Sequence, residues 1–154
     1  MATSAHLPEL ATPHHCTELR VPLFEVDLGQ AVYHGNYFHL LELGREEFLR
    51  WLGYPYRSFM DQQLHLTIVE LSCAYRKALR YDERIEIHSA VMWWRSRSLA
   101  FDQRIYRATG GGDSELCTSA TLTMVCVNFN GRPAVLPADF VALLRQVTGK
   151  DSEG

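Results

Sequence analysis

The chain has no apolar run approaching the roughly 20 consecutive apolar residues that a membrane helix needs. Its first sixteen residues, MATSAHLPELATPHHC, also lack the basic and apolar segments of a secretory signal. These two absences predict a cytoplasmic protein with no membrane partner.

Basic residues are few and uneven in kind, with thirteen arginines but only two lysines among 154 residues. The net charge of −3 and the isoelectric point near 6.1 lack the basic excess of a nucleic-acid-binding domain, so no nucleic acid partner is predicted. Arginine suits the recognition of phosphates and carboxylates, although codon bias explains the same ratio equally well.

The four cysteines show no C-x-x-C spacing. Cys73, Cys117 and Cys126 fall in strand-like segments, where a buried free thiol is expected. Cys16 follows His14 and His15, but adjacent ligands in a flexible tail rarely form a site, so no metal is predicted.

Several enzyme motifs are also missing. The chain has no G-x-S-x-G elbow, which argues against a serine-triad enzyme of the α/β-hydrolase kind. It has no P-loop and no dinucleotide-binding glycine fingerprint, and Gly110-Gly111-Gly112 is a turn between two strand patterns. No cofactor is predicted.

The sequence does contain one long helical pattern among a series of strand patterns. A helix is predicted from about Tyr37 to Gly53, and a short C-terminal helix after Pro137. Alternating segments predict five strands, which begin at Thr17 and then cover residues 64–76, 84–95, 99–109 and 115–128. Residues 1–15 are predicted to be a flexible tail, residues 16–148 a single domain and residues 149–154 a frayed end.

One long helix with five antiparallel strands is an α+β architecture. A single sheet covers a helix with one face only, so its other face and its edge strands need a partner. A homo-oligomer, a dimer or a tetramer of two dimers, is therefore predicted.

The predicted helix carries a glycine on its apolar face. Spacings of three and four place on that face Tyr37, Leu40, Leu41, Gly44, Phe48 and Trp51. Arg45 falls on the charged face with its neighbouring glutamates. Because a glycine in mid-helix costs roughly 1 kcal/mol against alanine, we expect the sheet to pack closely against Gly44.

The segment before this helix, DLGQAVYHGNY at residues 27–37, resembles the active-site loop of the 4-hydroxybenzoyl-CoA thioesterase family. That loop has the form D-x-G-x-x-V-Y-H-x-N-Y, and its fixed positions are filled here by Asp27, Gly29, Val32, Tyr33, His34, Asn36 and Tyr37. One departure lies upstream, where Glu25 stands at a position that is often Asp. The resemblance covers most of the chain and implies a hotdog fold, in which an antiparallel sheet wraps around one central helix and the smallest working unit is a dimer.

The resemblance implies hydrolysis of an acyl-CoA thioester with Asp27 as nucleophile or general base, two routes that the sequence does not separate. It places the oxyanion donor at the backbone N–H of His34, at a helix N-terminus. The side chain of His34 either assists with a proton or a water, or shapes the turn. Tyr33 and Tyr37 either line the acyl pocket or belong to the core, and Asn36 is a cap or a loop hydrogen-bonding residue.

Arg95 and Arg97 follow Trp93 and Trp94 at a predicted hairpin. They are either a solvated tip or contacts for the phosphates of coenzyme A, since family members carry basic residues in this region. Two other functions remain open: an acyl-carrier-protein thioesterase that uses the same loop, and an acyl-CoA-binding protein without turnover. The intact Asp27 loop argues against the second.

Overall fold

Five antiparallel strands form one sheet in the computed structural model, which describes residues 7–11 and 14–151. The strands lie in the order β1-β3-β4-β5-β2, and their bounds are β1 His15–Arg20, β2 Leu64–Tyr75, β3 Arg84–Trp94, β4 Ser98–Gly110 and β5 Asp113–Asn128. The helices are α1 Tyr37–Leu52, α2 Arg57–Met60 and α3 Ala138–Thr148, with 3-10 turns at Leu23–Glu25 and His34–Asn36. The predicted α+β architecture of five strands and one long helix is confirmed.

Helix α1 packs against the sheet at the predicted glycine. A Cβ atom added to Gly44 would lie 2.5 Å from Cγ2 of Ile87 on β3, closer than carbon atoms can approach. The side-chain amide of Gln103 on β4 donates hydrogen bonds to the carbonyl oxygen of Leu41 (2.9 Å) and to Oγ of Ser89 (2.8 Å). The close approach therefore lets a strand side chain bond directly to the helix backbone.

Two residues of α1 differ in solvent exposure from the prediction. Arg45 is 8% exposed, and its Nη1 donates to Oε1 of Gln103 at 3.0 Å, whereas Trp51 is 44% exposed. The predicted orientation of Arg45 is wrong because Gln103 supplies a buried acceptor that the helix pattern cannot reveal. Trp51, predicted on the apolar face, is partly exposed to solvent. Burial lowers the pKa of the Arg45 guanidinium.

The end of β3 also differs from the prediction. A β-bulge lies between Val91 and Trp93, which shifts the alternation by one residue. Trp94 is consequently buried, and Trp93, which strict alternation from Ile85 and Ile87 would place on the core face, is only partly buried.

Part of the N-terminal segment lies against the sheet. β1 begins at His15, two residues earlier than the predicted Thr17. Leu10 is buried, and the guanidinium of Arg104 on β4 donates to the carbonyl oxygen of Pro8. No helix in the described residues is long and apolar enough to cross a membrane.

Candidate active site

Asp27 opens a tight loop whose backbone is held closed by hydrogen bonds. Its N–H donates to the carbonyl oxygen of Ala31 at 3.0 Å, and Val26 and Val32 form an isolated β-bridge on either side. Oδ1 of Asp27 accepts the N–H of Gly29 at 2.8 Å. This bond fixes the orientation of the carboxylate, while the side chain stays exposed and Oδ2 has no hydrogen-bond partner among the described residues.

The turn at His34–Asn36 leads directly into α1. The carbonyl oxygen of Tyr33 accepts the N–H of Asn36 at 2.8 Å, which fixes the peptide plane that also carries the N–H of His34. That N–H has no intramolecular acceptor within residues 7–11 and 14–151. It therefore lies free at the N-terminal end of a long helix, where the backbone dipoles favour negative charge.

Glu25 joins the strand side of this loop to the helix side. Its carbonyl oxygen accepts hydrogen bonds from the N–H of Tyr33 (3.0 Å) and from Nδ2 of Asn36 (3.2 Å). Its buried carboxylate lies 3.0 Å from Nδ1 of His39 in the first turn of α1. Asn36 is thus a loop hydrogen-bonding residue, and its side chain does not cap the helix.

Tyr75, at the end of β2, holds the turn from the other side. Its hydroxyl donates to the carbonyl oxygen of His34 at 2.7 Å. Burial, with Cys73 nearby, raises the pKa of Tyr75 to about 12, so this hydroxyl remains a donor at neutral pH. Tyr37 packs edge-on against Tyr75 and is itself buried in the core, where its hydroxyl accepts the N–H of Leu79 at 3.1 Å.

Apolar side chains surround the Asp27 loop at the surface. Tyr33 is 46% exposed, and its ring lies 4.2 Å from that of the exposed His34, centroid to centroid. Phe24 is 80% exposed and Leu28 is fully exposed. Large exposed apolar side chains concentrated beside one carboxylate indicate a binding surface, for a ligand or for another protein chain.

The two arginines of the predicted phosphate contact lie at the opposite end of the sheet. The Asp27 loop contacts the segment that leads into β3, where Nη1 of Arg80 donates to the carbonyl oxygen of Gln30 at 3.2 Å. Arg95 and Arg97 follow the end of β3, about 33 Å away at 3.3 Å per residue. Both are exposed, and Arg95 lies 4.8 Å above the ring of Trp93. One chain therefore does not bring them together with Asp27.

A cavity of about 310 Å³ lies between α1 and the strands on the β2 side of the sheet. Its apolar wall includes Leu49, Leu66, Phe101 and Met124, and its polar wall includes Arg45 and two glutamates of α1. It has the size and the mixed lining of a small-molecule site.

The sequence matches the model of the thioesterase-like superfamily over residues 21–144. The chain belongs to this superfamily. It is 30% identical to the acyl-CoA thioester hydrolase YbgC of Escherichia coli O6:H1 over 129 residues, which make up 83% of this chain and 93% of that protein.

Solved structures in the thioesterase group share the fold. The DHNA-CoA thioesterase of Staphylococcus aureus superposes with a TM-score of 0.81 at 22% identity, over 88% of this chain and 91% of that one. The 4-hydroxybenzoyl-CoA thioesterase of Pseudomonas sp. strain CBS-3 gives a TM-score of 0.76 at 23% identity, over 84% and 98%. The predicted family, hotdog fold and thioester-hydrolase class are confirmed.

In this thioesterase-like chain the sequence prediction missed three residues that hold the loop: Glu25, His39 and Tyr75. The family pattern identifies Glu25 only as a departure from Asp and does not indicate its contact with His39. Its contact with His39 spans fourteen residues, and that of Tyr75 with His34 spans forty-one. No local spacing signals contacts of that separation.

Proposed function

We propose that this protein hydrolyses an acyl-CoA thioester to a free carboxylic acid and coenzyme A. The observation that carries the proposal is the pairing, within one loop, of an oriented carboxylate on Asp27 with a free backbone N–H on His34. Family membership and the curated YbgC relative support the same activity.

The chemistry requires a nucleophile and a stabilised oxyanion. The carboxylate of Asp27 either attacks the thioester carbonyl, forming an anhydride that water then cleaves, or removes a proton from the attacking water. In both routes negative charge develops on the carbonyl oxygen, and the N–H of His34 donates to it. The thiolate of coenzyme A leaves and takes up a proton.

The remaining loop residues support this reaction in different ways. The exposed ring of Tyr33 lines the approach to Asp27. The side chain of His34 beside it assists by transferring a proton or by holding a water molecule. Asn36 and Tyr37 act indirectly, the first by holding the turn to Glu25 and the second by packing beneath it. The cavity beside α1 is the candidate site for the acyl group, although none of its lining residues belongs to the Asp27 loop of the same chain.

The site is completed by a second copy of the chain paired along β2. This strand is a sheet edge of twelve residues, and it exposes Ile68 and Val69 by 40% and 59%. A long apolar edge left unpaired would promote aggregation, so a partner strand is expected there. The exposed Phe24 and Leu28 beside the Asp27 loop would be covered by the same association.

A two-fold axis through such an edge also accounts for the distant arginines. Antiparallel pairing brings the Leu64 end of one β2 beside the Tyr75 end of the other. The hairpin of Arg95 and Arg97 lies at the Leu64 end, since the carbonyl oxygen of Arg97 accepts the N–H of Cys126, which pairs with Leu66. Arg95 and Arg97 of one copy then contact the coenzyme A phosphates at the Asp27 loop of the other.

A thiol-release assay across aromatic, short-chain and medium-chain acyl-CoAs tests the proposal. We expect turnover of at least one class and loss of that turnover in Asp27→Asn. Pantetheine and acyl-carrier-protein esters of the preferred acyl group show which carrier is used. Release no faster than the uncatalysed rate with every thioester would overturn the proposal.

A further inference from the structure

A cluster of possible metal ligands lies on the outer face of the sheet, away from α1. Cys16 on β1 is the register partner of His88 on β3, and Glu86 lies two residues before His88. Ile87 and Ser89, the alternate residues of β3, face α1 at Gly44. Because successive side chains of a strand point to opposite faces, Glu86 and His88 lie on the other side of the sheet.

The three side chains are close enough to share one ion. The sulfur of Cys16, a carboxylate oxygen of Glu86 and an imidazole nitrogen of His88 all lie within 4.8 Å of one another, and Nε2 of His88 is 3.0 Å from Oε2 of Glu86. Ligands at 2.0–2.3 Å from a tetrahedral zinc ion are about 3.3–3.8 Å apart. Small side-chain rotations are sufficient, because the paired strands already fix the backbone.

The local charge suits a cation. Glu18 lies on the same face of β1 as Cys16 and is the register partner of Glu86. Three arginines lie nearby. The guanidinium of Arg104 is engaged by Asp102 at 3.7 Å and by a backbone carbonyl oxygen, and Arg20 lies 3.6 Å from Asp82. Arg84 lies on the same face of β3 as Glu86.

There is also room for a water ligand beside the cluster. A cavity of about 390 Å³ borders Glu86 and His88, and His14 and Tyr106 form part of its wall. The ring of His14 lies 5.2 Å from that of His88, centroid to centroid. Three protein ligands with solvent access can therefore complete a tetrahedral shell with water.

We propose that Cys16, Glu86 and His88 bind a divalent transition-metal ion, with Zn²⁺ as the best fit, on the outer face of the sheet. Thiolate and imidazole select a borderline-soft ion over Mg²⁺ or Ca²⁺. The ion joins β1 to β3 and is not part of the Asp27 loop. The site could not be predicted from the sequence because Cys16 lies about seventy residues before Glu86 and His88. The histidines next to Cys16 suggested only a metal motif within the tail.

Titration of the chelator-treated, fully reduced protein with Co²⁺ tests the proposal. A Co²⁺–thiolate charge-transfer band in the near ultraviolet should saturate at one ion per chain. Cys16→Ser should abolish the band, and Glu86→Gln and His88→Gln should each weaken binding at least about tenfold. Cys73→Ser, which removes another partly exposed thiol, should leave the band unchanged.

Zn²⁺ provides a second readout. It should raise the melting temperature of the wild-type protein and of Cys73→Ser, but not that of Cys16→Ser. Absence of the charge-transfer band at micromolar Co²⁺ would overturn the proposal, as would a band that persists in Cys16→Ser. Thiol-release activity in metal-free buffer should be equal in Cys16→Ser and wild type, so this test is independent of the proposed thioesterase function.

Discussion

The carboxylate of Glu25 lies 3.0 Å from Nδ1 of His39 and links the segment before Asp27 to the first turn of α1. Only 4% of the Glu25 side chain is exposed, against 62% of the His39 side chain. A buried carboxylate needs a partner, so His39 and the position of the loop are coupled. The carbonyl oxygen of the same Glu25 holds Tyr33 and Asn36.

Glu25→Ala and His39→Ala should each lower kcat several-fold, because either change loosens the loop that carries the Asp27 carboxylate and the proposed oxyanion donor. If these losses come from the contact between Glu25 and His39, kcat of the double variant should be close to that of the less active single variant. The coupling free energy between the two substitutions should then be about 1 kcal/mol. Steady-state kinetics on the four proteins measure this. Additive losses would show that the two side chains act separately.

Tyr75→Phe should lower kcat by about two- to tenfold, the effect of losing one hydrogen bond of about 0.5–1.5 kcal/mol, with KM nearly unchanged. The loss frees the carbonyl oxygen of His34, so the turn fluctuates while the core stays packed. Tyr81→Phe removes an exposed hydroxyl elsewhere and is the matched control. Equal kinetics for Tyr75→Phe and wild type would mean that this bond does not position the turn.

The parts of the site that are local in sequence were predictable. The acid, the turn and the helix start lie within eleven residues, and Gly44 on an apolar face indicated the close packing that Ile87 explains. The resemblance of residues 27–37 to the family loop supplies the chemistry that we propose for them. These features depend only on the spacing of residues along the chain, which can be read from a single sequence.

The parts that depend on distant residues were not predictable. Arg45 looks solvent-facing in the helix pattern because Gln103, its buried acceptor, lies fifty-eight residues away. A β-bulge between Val91 and Trp93 shifts the alternation, so that Trp94 and not Trp93 is buried, and no glycine or proline in the sequence indicates this bulge. The metal-ligand cluster likewise forms only when two strands pair.

Pairing along β2 predicts a mass by light scattering that is at least twice the 17.6 kDa of one chain, and four times for a tetramer of two dimers. Val69→Lys places a charge on the exposed edge and should yield monomers with little activity but a folded sheet by circular dichroism. Val135→Lys changes an equally exposed valine in the loop before α3 and should keep the native mass. A monomeric wild-type protein at micromolar concentration would contradict the shared site.

Arg95→Ala should raise KM for acyl-CoA several-fold with little change in kcat, since a contact to a remote phosphate is equally strong in the ground and transition states. An exposed charge pair contributes only about 1 kcal/mol, and added salt should reduce the difference. Arg145→Ala, which removes a positive charge lining the same surface depression, is the control and should change KM less.

A thioester of pantetheine separates phosphate contact from a structural role for Arg95. This substrate lacks the nucleotide, so Arg95→Ala should leave its kinetics unchanged. If Arg95→Ala raises KM equally for the CoA and the pantetheine esters, or raises it for neither, the assignment of Arg95 as a phosphate contact is wrong.

The role of Asp27 is the central claim, and single-turnover or steady-state thiol release by Asp27→Asn tests it most directly. The amide keeps the shape and can still accept the N–H of Gly29 through its oxygen, but it is neither a nucleophile nor a base. Asp61→Asn, at another exposed aspartate, is the control for loss of one negative charge. Both variants should keep the wild-type melting temperature. With the preferred acyl-CoA, we predict at least a roughly hundredfold loss of kcat in Asp27→Asn and no loss in Asp61→Asn. A kcat of Asp27→Asn within about twofold of wild type would contradict the account.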